Sequence, residues 1–253
     1  MTTVALAAGT TLMAVAFFLS IFDRWLDRGR PPEGAWAVSL ALFSLGALSL
    51  WGGAAFGWDG AWFRGFYLTG AILNVPFLAL GTLLLLRPGP VSWRIGQVLV
   101  ALAAFATGVL VSTPLDGTID PDTLPQGSDV FGALPRVMAA VASGGGALVV
   151  FGGAAWSAAT LVRTGRRSSA AEEGPTGAHR AAGGNALIAL GAVVLSTSGL
   201  LNSVLGEMDG FAVTLAIGIT ILFAGFLVST SGSTPRPGGV SGRLMDLIAD
   251  TAP

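Results

Sequence analysis

Residues 3–30, TVALAAGTTLMAVAFFLSIFDRWLDRGR, decide the fold. From Thr3 to Phe22 no residue carries a charge, and Arg24, Arg28 and Arg30 follow at once. About 20 mainly apolar residues cross roughly 30 Å of hydrocarbon, so this stretch predicts a membrane-spanning helix. Its positive charge comes after the apolar run, the reverse of a cleavable secretory signal. Arginine resists translocation, which places the start of the helix outside and its end in the cytoplasm.

The same pattern recurs along the chain. Apolar segments of spanning length lie at about residues 3–22, 35–56, 65–86, 95–113, 136–162, 183–205 and 211–231. Eleven of the thirteen arginines fall in alternate gaps or in the tail: Arg24, Arg28, Arg30, Arg87, Arg94, Arg163, Arg166, Arg167, Arg180, Arg236 and Arg243. The opposite gaps hold Asp59, Asp116, Asp120, Asp122, Asp129, Glu207 and Asp209, with Arg64 and Arg136 as exceptions at helix edges. Each arginine at a helix centre costs about 2.5–3.5 kcal/mol on the insertion scale. The expected fold is therefore all-α: a polytopic seven-transmembrane-helix bundle over residues 1–232, N-terminus outside, with a cytoplasmic tail over 233–253. The expected location is the bacterial cytoplasmic membrane.

Composition agrees. Hydrophobic residues make up 53% and charged residues 11% of the 253-residue chain, and mean hydropathy is +0.74. Soluble domains carry about 25% charged residues. A net charge of −1 gives no basic field for nucleic acid, which is not an expected partner. There is no cysteine, which removes disulfides, thiolate metal sites and thiol chemistry.

Further exclusions concern catalysis and cofactors. Seven helices with the start outside is the layout of retinal proteins, but a Schiff base needs a lysine amine, and the chain has no lysine. A retinal Schiff base is excluded, and no other cofactor is expected. The single histidine, His179, makes neither a metal site nor bis-histidine haem ligation alone. Asp116, Asp120, Asp122 and Asp129 begin like a calcium loop, but Leu124, Pro125 and Phe131 occupy positions that a ligand, the turn glycine and the closing glutamate require. No carboxylate stands at the centre of an expected span, so a buried proton relay has no residues to use. No catalytic constellation emerges, and enzymatic activity is not expected.

Within the membrane the informative residues are neutral and polar. Asn74 lies two residues before Pro76 in TGAILNVPFLALGT. Proline removes a helix hydrogen bond and leaves a carbonyl free, which predicts a kink. Asn74 either contacts a ligand or bonds a neighbouring helix. Ser198 and Asn202 share a face of the sixth span by their spacing. Near the same outer level stand Arg64 and Tyr67, Arg136 and Glu207. An Arg64 or Arg136 paired with Glu207 forms a polar lid over an outward pocket, whereas the alternative is that these arginines snorkel to headgroups. The expected ligand-binding set is Asn74, Pro76, Asn202, Arg64, Tyr67, Arg136 and Glu207, between spans three, five, six and seven. Trp51, Trp58 and Trp62 at the outer edge, and Trp25, Trp36 and Trp93 at the inner edge, read as interfacial belts. Gly144–Gly146 and Gly152–Gly153 give the fifth span a small face suited to close helix packing.

Two gaps are longer than the rest. Outer residues 114–135 are rich in turn formers; inner residues 163–180 have little to bury and predict a mobile loop. Leu244, Met245, Leu247 and Ile248 share one helical face in the tail, consistent with either a surface helix or a frayed end. Trp58-Asp59-Gly60 and Met208-Asp209-Gly210 occupy matching turns, raising a three-one-three duplication with the fourth span as linker.

Three stretches, FYLTGAILNVPFLALGTLLLL, DPDTLPQGSDVFG and GLLNSVLGEMDGFAVTLAIGITILFAGFLV, together resemble a family of uncharacterised seven-helix integral membrane proteins of high-GC bacteria. The resemblance covers most of the chain and implies no activity or site residue. The three-one-three order is similar to that of the small sugar carriers, but their paired prolines are missing here. The sequence thus leads to an integral membrane protein that binds or transports a small neutral or amphipathic molecule. A non-catalytic accessory subunit of a membrane complex is the competing reading. Membrane lipids are the expected surroundings, with a small-molecule ligand, a membrane-protein partner or a second copy of the chain as candidate partners.

Because the chain lacks cysteine, introduced thiols report topology without background. A membrane-impermeant maleimide is expected to label Thr118→Cys on intact cells and Ser168→Cys only after permeabilisation. The reverse pattern overturns the orientation.

Overall fold

The structure is a computed structural model and describes residues 2–164, 187, 190–192, 194–195 and 208–230. Among the described residues every regular element is helical. These are α1 (Thr2–Arg28), α2 (Pro31–Phe56), α3 (Gly60–Phe66), a π-helical turn (Tyr67–Leu73), α4 (Asn74–Leu86), α5 (Pro90–Ser112), α6 (Gly127–Val130), α7 (Ala133–Thr164) and α8 (Met208–Thr230). The α3, π and α4 segments run on without a break as one rod.

Among the described residues six helices are long and apolar enough to cross a membrane: Val4–Arg28, Pro31–Phe56, Gly60–Leu86, Pro90–Ser112, Ala133–Gly153 and Gly210–Val228. The chain is a multi-pass helical membrane protein. These six match six of the expected seven spans. The expected sixth, 183–205, falls mostly outside the described residues, as do nearly all of the inner loop and the whole tail. Within that region Gly191 lies against Gly218 and Leu222 of α8.

Several helices extend beyond the apolar runs because local devices hold their ends. Asp59 caps α3, its side chain accepting from the backbone N–H groups of Ala61 and Trp62, so that helix begins at Gly60 and not at 65. Proline at the first turn starts α2 and α5, where its missing N–H is harmless. α1 continues through Asp23 to Arg28, past the end of its hydrocarbon-length segment.

The helices meet through glycine. A β-carbon on Gly46 would come within 3.3 Å of the Gly70 backbone, so α2 and the π turn cross at a glycine pair. On α7, Gly146 lies over the backbone of Val75, and Gly153 lies against Thr82 and Leu86. The steps from 146 to 153 and from 75 to 82 are equal and run in the same direction, which makes this a parallel seam. α1 packs beside α8 through Phe17, whose ring centroid is 5.1 Å from that of Phe223 and 5.3 Å from that of Phe226. A swap of spans one and five together with three and seven would exchange the α1–α8 and α4–α7 contacts, in keeping with the duplicated order. α5, the linker in that order, is little embedded, with 11% of its spanning window buried, as is that of α7.

The tryptophans differ from a plain interfacial belt. Trp58 is only 4% exposed, and its ring covers Gly53, as Trp62 covers Gly52, Trp36 covers Gly81 and Trp25 covers Gly34. These indoles seat on helices that offer no side chain of their own.

Gly146→Ala is expected to force α4 and α7 apart and cost about 1–3 kcal/mol. Gly144→Ala, with nothing within 4 Å, is expected to be neutral or to stabilise by up to about 1 kcal/mol through helix propensity. Thermal unfolding of the two variants in detergent checks the contrast.

Candidate functional site

Pro76 organises the centre of the rod. The Asn74 N–H donates to the carbonyl of Thr69, five residues back, which is the π register. In that register an N–H at position 76 would pair with the carbonyl of Ala71, and proline has none. The Ser143 hydroxyl of α7 donates to that Ala71 carbonyl instead. From the other side the Ser39 hydroxyl of α2 lies 2.7 Å from Asn74 Oδ1 and 3.0 Å from the Asn74 carbonyl. Ser39 is 1% exposed. Two serines from two neighbouring helices thus satisfy backbone and amide oxygens where no water reaches, a necessity in hydrocarbon. Of the two readings of Asn74, the interhelical bond is the one observed.

Beside this part of the rod lies a crevice of about 200 Å³ between α4, α5 and α7. Its walls run from Pro76 to Leu83 on α4, from Ile95 to Leu102 on α5, and from Gly145 to Val149 on α7, and they are almost wholly apolar. An apolar protein cavity of roughly 150 Å³ already holds a benzene molecule. Beside Gly145 nothing lies within 4 Å, while Leu102 and Val149 remain 56% and 43% exposed. The crevice therefore opens sideways, toward lipid.

The other expected site residues are placed elsewhere. Arg64 donates to the carbonyls of Leu110, of Val111 at 2.8 Å and of Thr113 at 2.7 Å. Those carbonyls end α5 and have no N–H partner within the helix. Arg64 is thus a cap on α5 supplied by another helix. Tyr67 is half-buried, its ring centroid 5.0 Å from that of Phe131 and 5.7 Å from that of Phe63, with its hydroxyl seated over Gly127. Arg136 is exposed at the start of α7. Asn202 and Glu207 lie outside the described residues. Among the described residues of the expected set, Pro76 lines the crevice, and the helix that completes its walls is α5.

Sequence reasoning missed two features at opposite ends of the bundle. The loop after α5 folds back over the aspartate-rich end: Leu124, Val130 and Phe131 are buried. Phe131 stacks on Phe63 at 5.3 Å, and the Trp58 N–H donates to the Pro121 carbonyl at 2.9 Å. The alternation of turn residues with Leu124, Val130 and Phe131 was the available signal. At the arginine-rich end Glu33 is 6% exposed and lies 3.7 Å from both Arg24 and Arg28. Arg24 also stands over the Phe226 ring at 5.3 Å, so one buried carboxylate and two guanidiniums join α1, α2 and α8. Glu33 sits only three residues from Arg30 in sequence, where it passes for a loop charge.

Among the described residues no three His, Asp or Glu side chains converge as a metal site would require. No protein-family profile matches the chain, and comparisons with curated proteins and with solved structures return no similar chain.

Arg64→Ala is expected to lower stability by about 2 kcal/mol or more, since hydrogen bonds to charged groups are worth about 1.5–3 kcal/mol each. Arg64→Lys is expected to recover only part of the loss, because an ammonium lacks the guanidinium fork. Denaturation midpoints in detergent measure both.

Proposed function

We propose that this protein binds the apolar chain of an amphipathic molecule in the crevice between α4, α5 and α7, entering from within a bilayer. The observation that carries this reading is the crevice itself: apolar, open toward lipid and enlarged beside Gly145, where no neighbour fills the space. Ligand pockets are concave and mainly apolar, and this one lies beside Pro76. Asn74 and Arg64 are already engaged by Ser39 and by the end of α5, which favours recognition through the apolar part of the ligand. The arginine distribution supports an orientation with the α4–α5 turn in the cytoplasm.

A second reading, an accessory subunit, draws support from α7. Gly144, Leu148 and Gly152 share one face; the glycines have nothing within 4 Å, and Leu148 is 77% exposed. A Leu148→Cys variant that cross-links to another membrane protein in cells favours it, whereas a monomer free of cross-links counts against it.

Gly145→Leu tests the binding reading. The new side chain enters open space and replaces a poor helix former, so the fold is retained while the crevice is filled. Native mass spectrometry is expected to show a lipid-sized adduct on the wild type and its loss from G145L. An adduct retained at equal occupancy by G145L overturns the proposal.

A further inference from the structure

The crevice has a charged mouth. Resting on the binding reading above, we infer that its occupant is an anionic phospholipid, with one acyl chain between α4 and α5 and the headgroup on Arg87 and Arg94.

The two arginines stand at the same end of both walls. On α5, Arg94 precedes the lining residues Val98 and Leu102 by one and two turns, so the three fall on one face. On α4, Arg87 follows the lining residue Leu83 by one turn, as the residue that ends the helix. The turn between them is short: the Arg87 N–H donates to the Leu83 carbonyl at 2.8 Å and the Trp93 N–H to the Gly89 carbonyl at 3.2 Å. The buried Ser92 hydroxyl donates to the Arg87 carbonyl at 2.6 Å. A tightly bonded turn thus joins the two helix ends that carry the cations.

Charge balance points to an anion. Of the other arginines at this end whose side chains are described, Arg24 and Arg28 share Glu33, and Arg30, exposed before α2, belongs to neither wall of the crevice. Arg87 and Arg94 are both exposed and have no carboxylate within 4.0 Å among the described residues. Guanidinium groups hold phosphate oxygens through paired N–H donors. Trp93, 62% exposed beside Arg94, is the residue type that settles at headgroup depth. Basic pockets between spanning helices on the cytoplasmic side are the usual seat of anionic headgroups. An acyl chain running inward from that level meets the aliphatic walls at once.

The test uses the full chain reconstituted into vesicles of equal parts palmitoyl-oleoyl phosphatidylglycerol and phosphatidylcholine, then released gently for native mass spectrometry. The wild type is expected to retain phosphatidylglycerol over phosphatidylcholine by about tenfold. Arg87→Gln/Arg94→Gln is expected to keep an adduct but lose the preference, while G145L loses both lipids. An undiminished preference in the double variant, or none in the wild type, overturns the headgroup assignment and leaves the crevice reading standing. Equal adducts on G145L and wild type overturn both. Matching thermal midpoints for the double variant and the wild type confirm that the change is in binding and not in folding.

Discussion

A proline in the middle of a membrane helix is the constraint on which the described bundle depends. Pro76 cannot donate, and hydrocarbon supplies no water to repair the loss. The rod responds by widening to π register over Tyr67–Leu73, which moves the orphan carbonyl to Ala71 and within reach of Ser143. Ser39 secures the opposite side at Asn74. Two neighbouring helices are thereby fixed to the centre of the third. The change of register and the interhelical bond from Ser143 both follow from one missing N–H.

The charged residues divide the work between the ends. At the aspartate-rich end, Asp59 caps α3, Arg64 caps α5, and the loop bearing Phe131 closes over the aromatic cluster. At the other end, Glu33 draws Arg24 and Arg28 together, at partial exposures where such pairs contribute modestly. The spans between them are held by glycine contacts and hydroxyl bonds, the interactions that remain useful when lipid is as apolar as leucine.

The sequence made the spans easy to read, because twenty uncharged residues between arginines have few alternatives in water. Pro76 also marked the place where the helix leaves the ordinary register. What it did not convey was which partner each polar group takes. Asn74 and Arg64 had the residue types of a binding site, yet their partners, Ser39 and the end of α5, lie 35 and 49 residues away and come together only in the packed bundle. Trp58 was read as an interfacial anchor because belts are local in sequence, whereas its burial depends on Pro121 of a distant loop. The crevice had no signature of its own: its wall residues are ordinary aliphatics, and the gap comes from the absence of a side chain at Gly145.

α5 is tied at both ends, by Arg64 at one and by the Arg87–Ser92 turn at the other, and between those ties it spans the crevice like a strap. With both ends fixed, the way in is from the side, between α5 and α7. Access is then two-dimensional. The relevant concentration of any occupant is its mole fraction in the bilayer rather than its molarity in water, so occupancy follows membrane composition and is diluted by each added molecule of detergent.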